Sequence, residues 1–421
     1  MVDYTPEFLA LQQVLFGHKS TREALFRVYM EEKLSQTGKK QTSKIVLGVL
    51  WKYFSLSFEC LSFLPYKQDS EEFLPPLILL YILRFYPQQD EKELERCYLD
   101  TIASNRLLND GRNDFAVLSQ AAKKSFLIPD EVKKNPFYYN SLTLEMPEFL
   151  LRRMSADFSP KAAFQVAMSL KKKTSYFYFS RNEKEEEGMK KVSLSFPLDC
   201  YRSSKKLSVQ EAKERKLIPS SYIEALAFSH LYVPPLMPKV LITGGQDGFE
   251  MLPLAFLVEE CYDSQLDTAY ETEISYRAAL DKKNAFQLKK VHVLQSDSKL
   301  LKTYLSYDEY DDVVCFGRDC KIGCARHKIG ILPSLKEEML IKSKERQIED
   351  LLENARFVKE GGSLLFVNNG LEKVETQEVI DTFLTRRKDF IAMETRMVFP
   401  FEMDSDGGYY AILKRRVTKH D

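Results

Sequence analysis

The sequence predicts an α-helical N-terminal domain followed, after a small mixed segment, by an α/β domain with a doubly wound, mostly parallel sheet. Three observations support this fold class. Over residues 5–135, apolar residues recur at spacings of three and four, which is typical of amphipathic helices. Over residues 136–237 the pattern changes to short alternating runs. Over residues 238–416, short β-rich runs alternate with helical patterns, which indicates parallel strands joined by crossover helices.

The N-terminal segment, residues 1–135, is predicted to be a bundle of five to seven helices. Phe8, Leu11 and Val14 form one apolar stripe, and Leu77–Leu83 is a nearly continuous apolar run. Few strand signals occur before Pro136. We therefore treat residues 1–135 as one all-helical domain.

The middle segment, residues 136–237, is predicted to be a small α+β domain. A helix is expected at Glu148–Phe158, a strand at Ser175–Arg181 and a polar loop at Glu183–Lys191. Between Leu151 and Ser220 there are 16 Lys/Arg against 8 Asp/Glu, a local charge of +8. Such an excess suits contact with phosphate, although a solvated, loop-rich surface explains it as well.

The C-terminal segment, residues 238–421, carries the alternating pattern. Its predicted strands and helices are Val240–Thr243, Leu252–Cys261 (helix), Thr268–Glu273, Tyr276–Phe286 (helix), Lys290–Gln295, Asp312–Phe316, Leu335–Phe357 (helix), Ser363–Asn368, Thr376–Arg386 (helix), Phe390–Phe399 and Gly408–Arg415. Ligands of such sheets bind at the carboxyl ends of the strands. The candidate residues at those ends are Gly244, Gly245, Asp247 and Gly248 within the turn Gly244–Gly248, together with Glu273, Asp297, Arg318–Cys320 and Asn368–Gly370.

The net charge, the cysteines and the apolar runs of the sequence limit the class of protein to which the chain can belong. The net charge is zero, so no overall field attracts nucleic acid. Seven cysteines without a regular framework favour a reducing compartment, and the first ten residues lack the features of an export signal. The longest apolar run, Leu74–Leu83, is far too short to span a membrane. We expect a soluble, cytoplasmic protein with no membrane partner.

The order of the C-terminal motifs points to a family. A glycine turn follows the first strand, the acidic Glu273 in YETEISYR ends the second strand, and Gln295-Ser296-Asp297 ends the third strand. The cysteine-containing loop FGRDCKIGCARHK and then RFVKEGGSLLFVNN come next. Together they resemble the Sun/RsmB family of bacterial 16S rRNA cytosine-C5 methyltransferases. The resemblance implies a divergent member with altered catalytic motifs.

The resemblance extends over nearly the whole chain. The helices of residues 1–135, with the spacing of Ile45–Trp51, resemble the NusB-like RNA-binding domain of that family. EMPEFLLRRM at 145–154 is similar to its linker helix, and DSDGGYYAILKR at 404–415 to its closing hairpin. The resemblance implies a Rossmann-like methyltransferase domain, S-adenosylmethionine as cofactor, and RNA as partner, in particular rRNA or a ribosomal subunit.

The catalytic motifs depart from the family pattern. Methylation at C5 of cytosine needs a thiolate that attacks C6. In register with Gly361-Gly362-Ser363-Leu364, Asn369 stands at the position of this nucleophile, and an amide cannot form the covalent adduct. Cys320 matches the family's second cysteine with a one-residue shift. Arg318 and Lys321 would lower its thiol pKa if they packed against it, although a residual cysteine without a role is the favoured interpretation of Cys320.

The cofactor motifs have changed as well. Gly248 remains from the family's glycine pair, while Glu250 replaces a lysine. The resemblance makes Glu273 the acid that would hold the ribose hydroxyls and Asp297 the residue that would meet the adenine edge. The alternative is that both are ordinary polar residues at strand ends, and that the glycine turn is a plain strand–turn–helix connection.

Three hypotheses remain open. The leading one is a protein of this methyltransferase family whose methyl transfer is impaired or lost and whose RNA binding is retained. The second is an active methyltransferase that uses Cys320 as nucleophile. The third is a non-enzymatic RNA- or protein-binding scaffold. A metal site at Cys320, Cys324 and His327 is not expected, because no second ligand pair follows.

Overall fold

The computed structural model describes residues 3–180, 188–231, 239–261 and 263–418. The chain forms two compact units. The first comprises Met1–Lys171 and His327–Lys336, and the second comprises Lys172–Arg326 and Glu337–Asp421. The division into three domains at residues 135 and 237 stays a prediction of the sequence.

The first unit is helical. Ser20 and Ser35 cap the second and third helices, each with a side-chain oxygen that accepts a backbone N–H of the first turn. Its helices are α1 (Thr5–Leu15), α2 (Thr21–Glu31), α3 (Gln36–Trp51), α4 (Tyr53–Leu61), α5 (Leu74–Phe85), α6 (Glu91–Ser104), α7 (Gly111–Ala122), α8 (Asp130–Lys133), α9 (Pro136–Leu144), α10 (Glu148–Asp157), α11 (Pro160–Leu170) and, from the later segment, α16 (Ile331–Ser334).

Helix α5 is the centre of this bundle. Every residue from Leu74 to Ile82 is buried, because the helix is apolar on all sides and packs against α3, α4 and α7. Within residues 5–135, all of them described, seven helices have nine residues or more, which agrees with the predicted bundle. The single turn α8 is additional.

The second unit contains two sheets. The smaller has the order β2-β3-β1-β4 and is antiparallel in its pairs, and the larger has the order β10-β11-β9-β8-β5-β6-β7. The strands are β1 (Tyr176–Ser180), β2 (Lys190–Val192), β3 (Asp199–Ser203), β4 (Leu217–Ser220), β5 (Lys239–Thr243), β6 (Gln265–Tyr270), β7 (Val291–Gln295), β8 (Tyr310–Phe316), β9 (Val358–Asn368), β10 (Phe390–Val398) and β11 (Gly408–Arg415). The helices are α12 (Val209–Glu214), α13 (Tyr222–Leu231), α14 (Leu252–Glu260), α15 (Glu273–Ala285), α17 (Glu337–Asn354) and α18 (Gln377–Arg386).

The large sheet is doubly wound. Strands β5 to β9 run parallel, and β11 pairs antiparallel between β9 and β10. If the strands are numbered along the chain with β5 as strand 1, their order across the sheet is 3-2-1-4-5-7-6. The strand order reverses at β5, which lies between β6 and β8, and this reversal is where open α/β sheets bind ligands.

Most predicted elements of the large sheet are confirmed, but several boundaries were wrong. Strand β9 begins at Val358, five residues before the predicted Ser363. Strand β6 ends at Tyr270 rather than at Glu273. The next helix begins at Glu273, three residues earlier than predicted, because the Thr272 hydroxyl accepts the Ser275 N–H and caps it. No helix in the part of the chain that the structure describes has both the length and the apolar character needed to cross a bilayer.

The small sheet was only partly predicted. Strand β1 matches the predicted strand Ser175–Arg181, whose last residue lies outside the described residues. Most of the predicted polar loop Glu183–Lys191 lies outside them too, and the described part of it includes the start of β2. Strands β2 to β4 and helices α12 and α13 were not predicted.

Candidate functional site

The carboxyl ends of the parallel strands place the candidate residues at one edge of the large sheet. Strand β5 pairs in parallel with both β6 and β8, so the loops that follow these three strands are neighbours. The loop after β9 joins them, because β8 and β9 are also paired in parallel. The site is therefore built from loops whose positions are fixed by buried strands.

The glycine loop after β5 is held by contacts within the protein. Gly244 and Gly248 have φ values of +74° and +79°, a region that favours glycine. A Cβ at Gly248 would lie 2.6 Å from the Cα of Ala279 in α15, and one at Gly244 would overlap the carbonyl oxygen of Phe316. These two predicted binding residues are therefore required for the packing of the loop against α15 and β8.

The other two predicted residues of this loop lie beside a buried acid. The Glu250 side chain folds over Gly245 and accepts the backbone N–H of Gln246. Asp247 accepts the N–H of Phe249 at 3.1 Å. Burial, followed by the neighbouring Asp247, raises the pKa of Glu250 well above its usual range. The loop thus uses its own carboxyl groups to satisfy its backbone amides.

A cleft of about 560 Å³ lies beside the ends of β6 and β7. It is lined by Glu271, Tyr276, Val293, Leu294, Gln295, Ser296, Asp297, Leu300 and Tyr304. Aromatic rings, apolar side chains and a few carboxylates that accept hydroxyl or amino groups are the typical lining of a small-ligand site. The residues present therefore fit a nucleoside, with its ring against apolar groups and its hydroxyls on carboxylates.

Of the two acids predicted for this cleft, the structure places Asp297 there and not Glu273. Asp297 accepts the N–H of Leu300 at 2.9 Å. Glu273 is in the first turn of α15, exposed, and paired with Arg277 one turn further on. Glu271, two residues earlier, is the acid that directly follows β6 and lines the cleft. The buried run of β6 that ends at Tyr270 was the signal that could have identified Glu271.

Arg318 fixes Glu271 from the neighbouring loop. Its guanidinium donates to Glu271 Oε2 at 2.6 Å and to Asp350 Oδ2 of helix α17 at 2.7 Å. Arg346 lies 4.0 Å from the same Glu271 carboxylate. Sequence analysis assigned neither Arg318 nor Asp350 to this role, because the pairing depends on how α17 packs.

The expectation that basic neighbours activate Cys320 was wrong. Arg318 is engaged by Glu271 and Asp350, and Lys321 contacts the side-chain oxygen of Gln246. Burial, and then the carboxyl of Glu375, raise the pKa of the Cys320 thiol well above its usual range. A thiol in this environment stays protonated at neutral pH and is a poor nucleophile.

Glu375 is the buried acid beside Cys320. It is fully buried, and its Oε1 accepts the Cys320 backbone N–H at 2.8 Å. Burial and the nearby charge of Asp319 raise the pKa of Glu375 to about 8. The carboxyl therefore holds a proton over much of the neutral range.

Asn369 ties together three loops. Its side-chain amide donates to the backbone carbonyl oxygen of Gly407 at 3.1 Å, and its backbone carbonyl oxygen accepts the N–H of Gly323 at 2.8 Å. Gly407 N–H in turn donates to the carbonyl of Gly323 at 3.1 Å. The residue at the predicted nucleophile position is thus a hydrogen-bonding link between the loops after β8, after β9 and before β11.

The preceding residue, Asn368, is buried and fully engaged. Its amide donates to Gln347 Oε1 at 2.9 Å and to the carbonyl oxygen of Glu375 at 2.6 Å. Its own side-chain oxygen accepts the N–H of Gly370 at 3.2 Å. These bonds fix the turn that presents Asn369.

Comparison with solved structures identifies the fold. The chain is similar to PH0851 over 99% of both chains, with a TM-score of 0.74 and 16% identity. The chain is also similar to NSun6 from Pyrococcus horikoshii, whose structure was determined with SFG, an analogue of S-adenosylmethionine. This similarity covers 65% of the present chain and 99% of NSun6, with a TM-score of 0.55 and 11% identity. A methyltransferase homolog protein from the same organism is covered completely by 69% of this chain, with a TM-score of 0.54 and 13% identity.

These similarities confirm the predicted fold class. No protein-family model matches the sequence, and no curated protein matches it either. The chain has a helical N-terminal part and a mostly parallel seven-stranded sheet with helices, which is the Rossmann-like methyltransferase fold.

Proposed function

We propose that this protein is a divergent relative of the Sun/RsmB-type rRNA cytosine-C5 methyltransferases that binds S-adenosylmethionine and RNA but whose methyl transfer through a cysteine is impaired or lost. The observation that carries this proposal is the pair of residues at the two cysteine positions. Asn369 has an amide that is committed to the Gly407 carbonyl, and Cys320 has a thiol whose pKa is raised by burial and Glu375. Neither supplies the thiolate that attack at C6 requires.

The fold and the cleft support cofactor binding. The cleft lies at the carboxyl ends of β6 and β7, on the edge of the sheet where doubly wound sheets bind nucleotides. Glu271 and Asp297 would hold hydroxyl and amino groups of the nucleoside, and the rings of Tyr276 and Tyr304 would cover its base. When bound, S-adenosylmethionine would supply an electrophilic methyl group. The chain's own residues would position the nucleoside and keep the loops around it fixed.

The decisive experiment is a methyl-transfer assay with labelled S-adenosylmethionine and 16S rRNA, followed by trapping with RNA that contains 5-fluorocytosine. We expect no transfer and no covalent adduct from the natural protein. Transfer that is lost in Cys320→Ala, together with a trapped adduct, would instead establish the alternative in which Cys320 is the nucleophile. Recovery of transfer in Asn369→Cys would show that the rest of the site is still assembled.

The middle segment supports RNA as the partner. Among its described residues, exposed lysines include Lys190, Lys205, Lys206, Lys213 and Lys216. Cations of this kind bind phosphate through counterion release, so affinity falls as salt rises. The seven cysteines, which form no regular framework in the sequence, suit a reducing compartment such as the cytoplasm, where RNA is available.

A binding assay with an rRNA fragment at several salt concentrations tests this partner. We expect a negative slope of log affinity against log salt, reduced by about one in Lys206→Glu if this lysine contacts a phosphate. Lys342→Glu, an exposed lysine of α17, is the matched control and should keep the slope. Binding that does not depend on salt, or the absence of binding, would favour a protein-binding scaffold.

A further inference from the structure

We infer that the site takes its proposed cofactor by the nucleoside part and disfavours the α-carboxylate of the amino-acid part, so that it binds adenosine thioethers without a carboxylate more tightly than those with one. This inference rests on the proposed function, since it concerns the same cleft and loop. It names the ligand class as neutral or cationic adenosine derivatives.

The first step concerns the backbone amides of the glycine loop. A loop between the first strand and its helix usually binds an anionic group through free N–H groups. Here the Gln246 N–H is already bonded to the Glu250 carboxyl, and the Phe249 N–H to Asp247. An external carboxylate would have to displace a carboxyl group of the protein itself.

The second step concerns space. Gly245 leaves no room over the loop, because a Cβ there would overlap Glu250 Oε1 and lie 2.7 Å from a ring carbon of Tyr270. Glu250 is only 7% exposed. The Glu250 carboxyl therefore occupies the volume directly above the loop, where it accepts the Gln246 N–H.

The third step concerns charge. The lining of the cleft includes Glu271 and Asp297, and among these lining residues there is no lysine or arginine. Arg318 and Arg346 lie next to Glu271, but that carboxylate already pairs with them. Lys321 approaches the loop and contacts the Gln246 side chain. A ligand carboxylate would meet like charges on Glu271 and Asp297 in the cleft and on Asp247 in the loop.

The test compares two ligands that differ by one group. S-adenosylhomocysteine carries the carboxylate, and 5′-deoxy-5′-(3-aminopropylthio)adenosine has the same chain and ammonium without it. By calorimetry on the full chain, we expect the decarboxylated thioether to bind about tenfold more tightly. Equal or tighter binding of S-adenosylhomocysteine would overturn the inference and leave cofactor binding intact. If neither ligand binds, the inference and the proposed cofactor site both fail.

The Glu250→Ala variant assigns the effect to this residue. It removes the carboxyl that accepts the Gln246 N–H and that occupies the volume over Gly245. We expect S-adenosylhomocysteine to gain severalfold in affinity and the decarboxylated ligand to gain nothing. Glu260→Ala is the matched control, because Glu260 is exposed at the far end of α14, about 12 Å along the helix. An equal gain in both variants would contradict the role of Glu250, and the comparison in the natural protein does not depend on either variant folding.

Discussion

At the scale of single residues, Asn369 is a hydrogen-bonding link between three loops of the candidate site. The resemblance seen in the sequence predicted Asn369 at the position of a nucleophile, and this was sufficient to question catalysis. It did not predict that the side chain and the backbone carbonyl of Asn369 bond to the loops of Gly407 and Gly323, because those bonds depend on contacts between distant segments. The same limit applies to Cys320, whose environment is set by Glu375, 55 residues later.

The two neighbouring asparagines should differ in their contribution to stability. Asn369→Ala removes one half-buried hydrogen bond, so we expect the free energy of unfolding to fall by about 1 kcal/mol. Asn368→Ala removes three bonds and leaves Gln347 Oε1 and the Gly370 N–H without their partner, so we expect a loss of about 2–3 kcal/mol. Urea denaturation of both variants measures the difference. A larger loss in Asn369→Ala would contradict this account of the turn.

At the scale of elements, the sequence predicted the large sheet well and the small sheet poorly. Strands β5, β8 and β9 each contain a run of buried apolar residues, and such runs can be recognised from the sequence alone. Strand β4, with the sequence LIPS, is short and contains a proline, and it is a strand because it pairs with β1. Local sequence carries little information about such strands.

The position of Glu271 illustrates the same limit within the site. The run TAYETE allows the strand to end at either of its two acids. The cap formed by Thr272 fixes the start of the next helix at Glu273, so the strand must end before it. Once the helix starts at Glu273, Glu271 is the acid left at the end of β6. A search for helix caps would therefore have placed Glu271, and not Glu273, at the end of the strand.

The glycine loop gives a prediction at this scale. Gly248→Ala would bring a Cβ to 2.6 Å from the backbone of α15 at a positive φ, so we expect a loss of more than about 2 kcal/mol in unfolding free energy. Gly361→Ala is the control, because its φ is also positive, at +72°, while its Cβ would meet only the Val417 side chain at 3.3 Å. We expect about 1 kcal/mol there. Equal melting temperatures for the two variants would contradict the packing role of Gly248.

At the scale of the whole molecule, buried carboxyl groups make stability depend on pH. The pKa of Glu375 is raised from 4.5 to about 8 in the folded protein by burial and by Asp319. Between these two values the folded state holds a proton that the unfolded state releases. The contribution of Glu375 to stability is therefore fully present below pH 4.5 and is lost as the pH rises toward 8.

Glu375→Gln tests this dependence. The glutamine at this position has no proton to release. Between pH 5 and pH 8 the free energy of unfolding should therefore fall in both proteins, but by about 2 kcal/mol or more less in the variant than in the natural protein. Denaturation at both pH values gives the comparison, with Glu345→Gln on the exposed side of α17 as control. The prediction fails if the natural protein and Glu375→Gln show parallel pH profiles.

The position of β11 has a consequence for synthesis on the ribosome. This strand comes last among the described strands, yet it lies inside the sheet, where it pairs with β9 on one side and β10 on the other. A nascent chain folds as its segments emerge, and here β10 has no described partner in the sheet until residues 408–415 leave the exit tunnel. A premature stop shortly before Gly408 would remove less than 4% of the chain and still leave two strand edges exposed to aggregation.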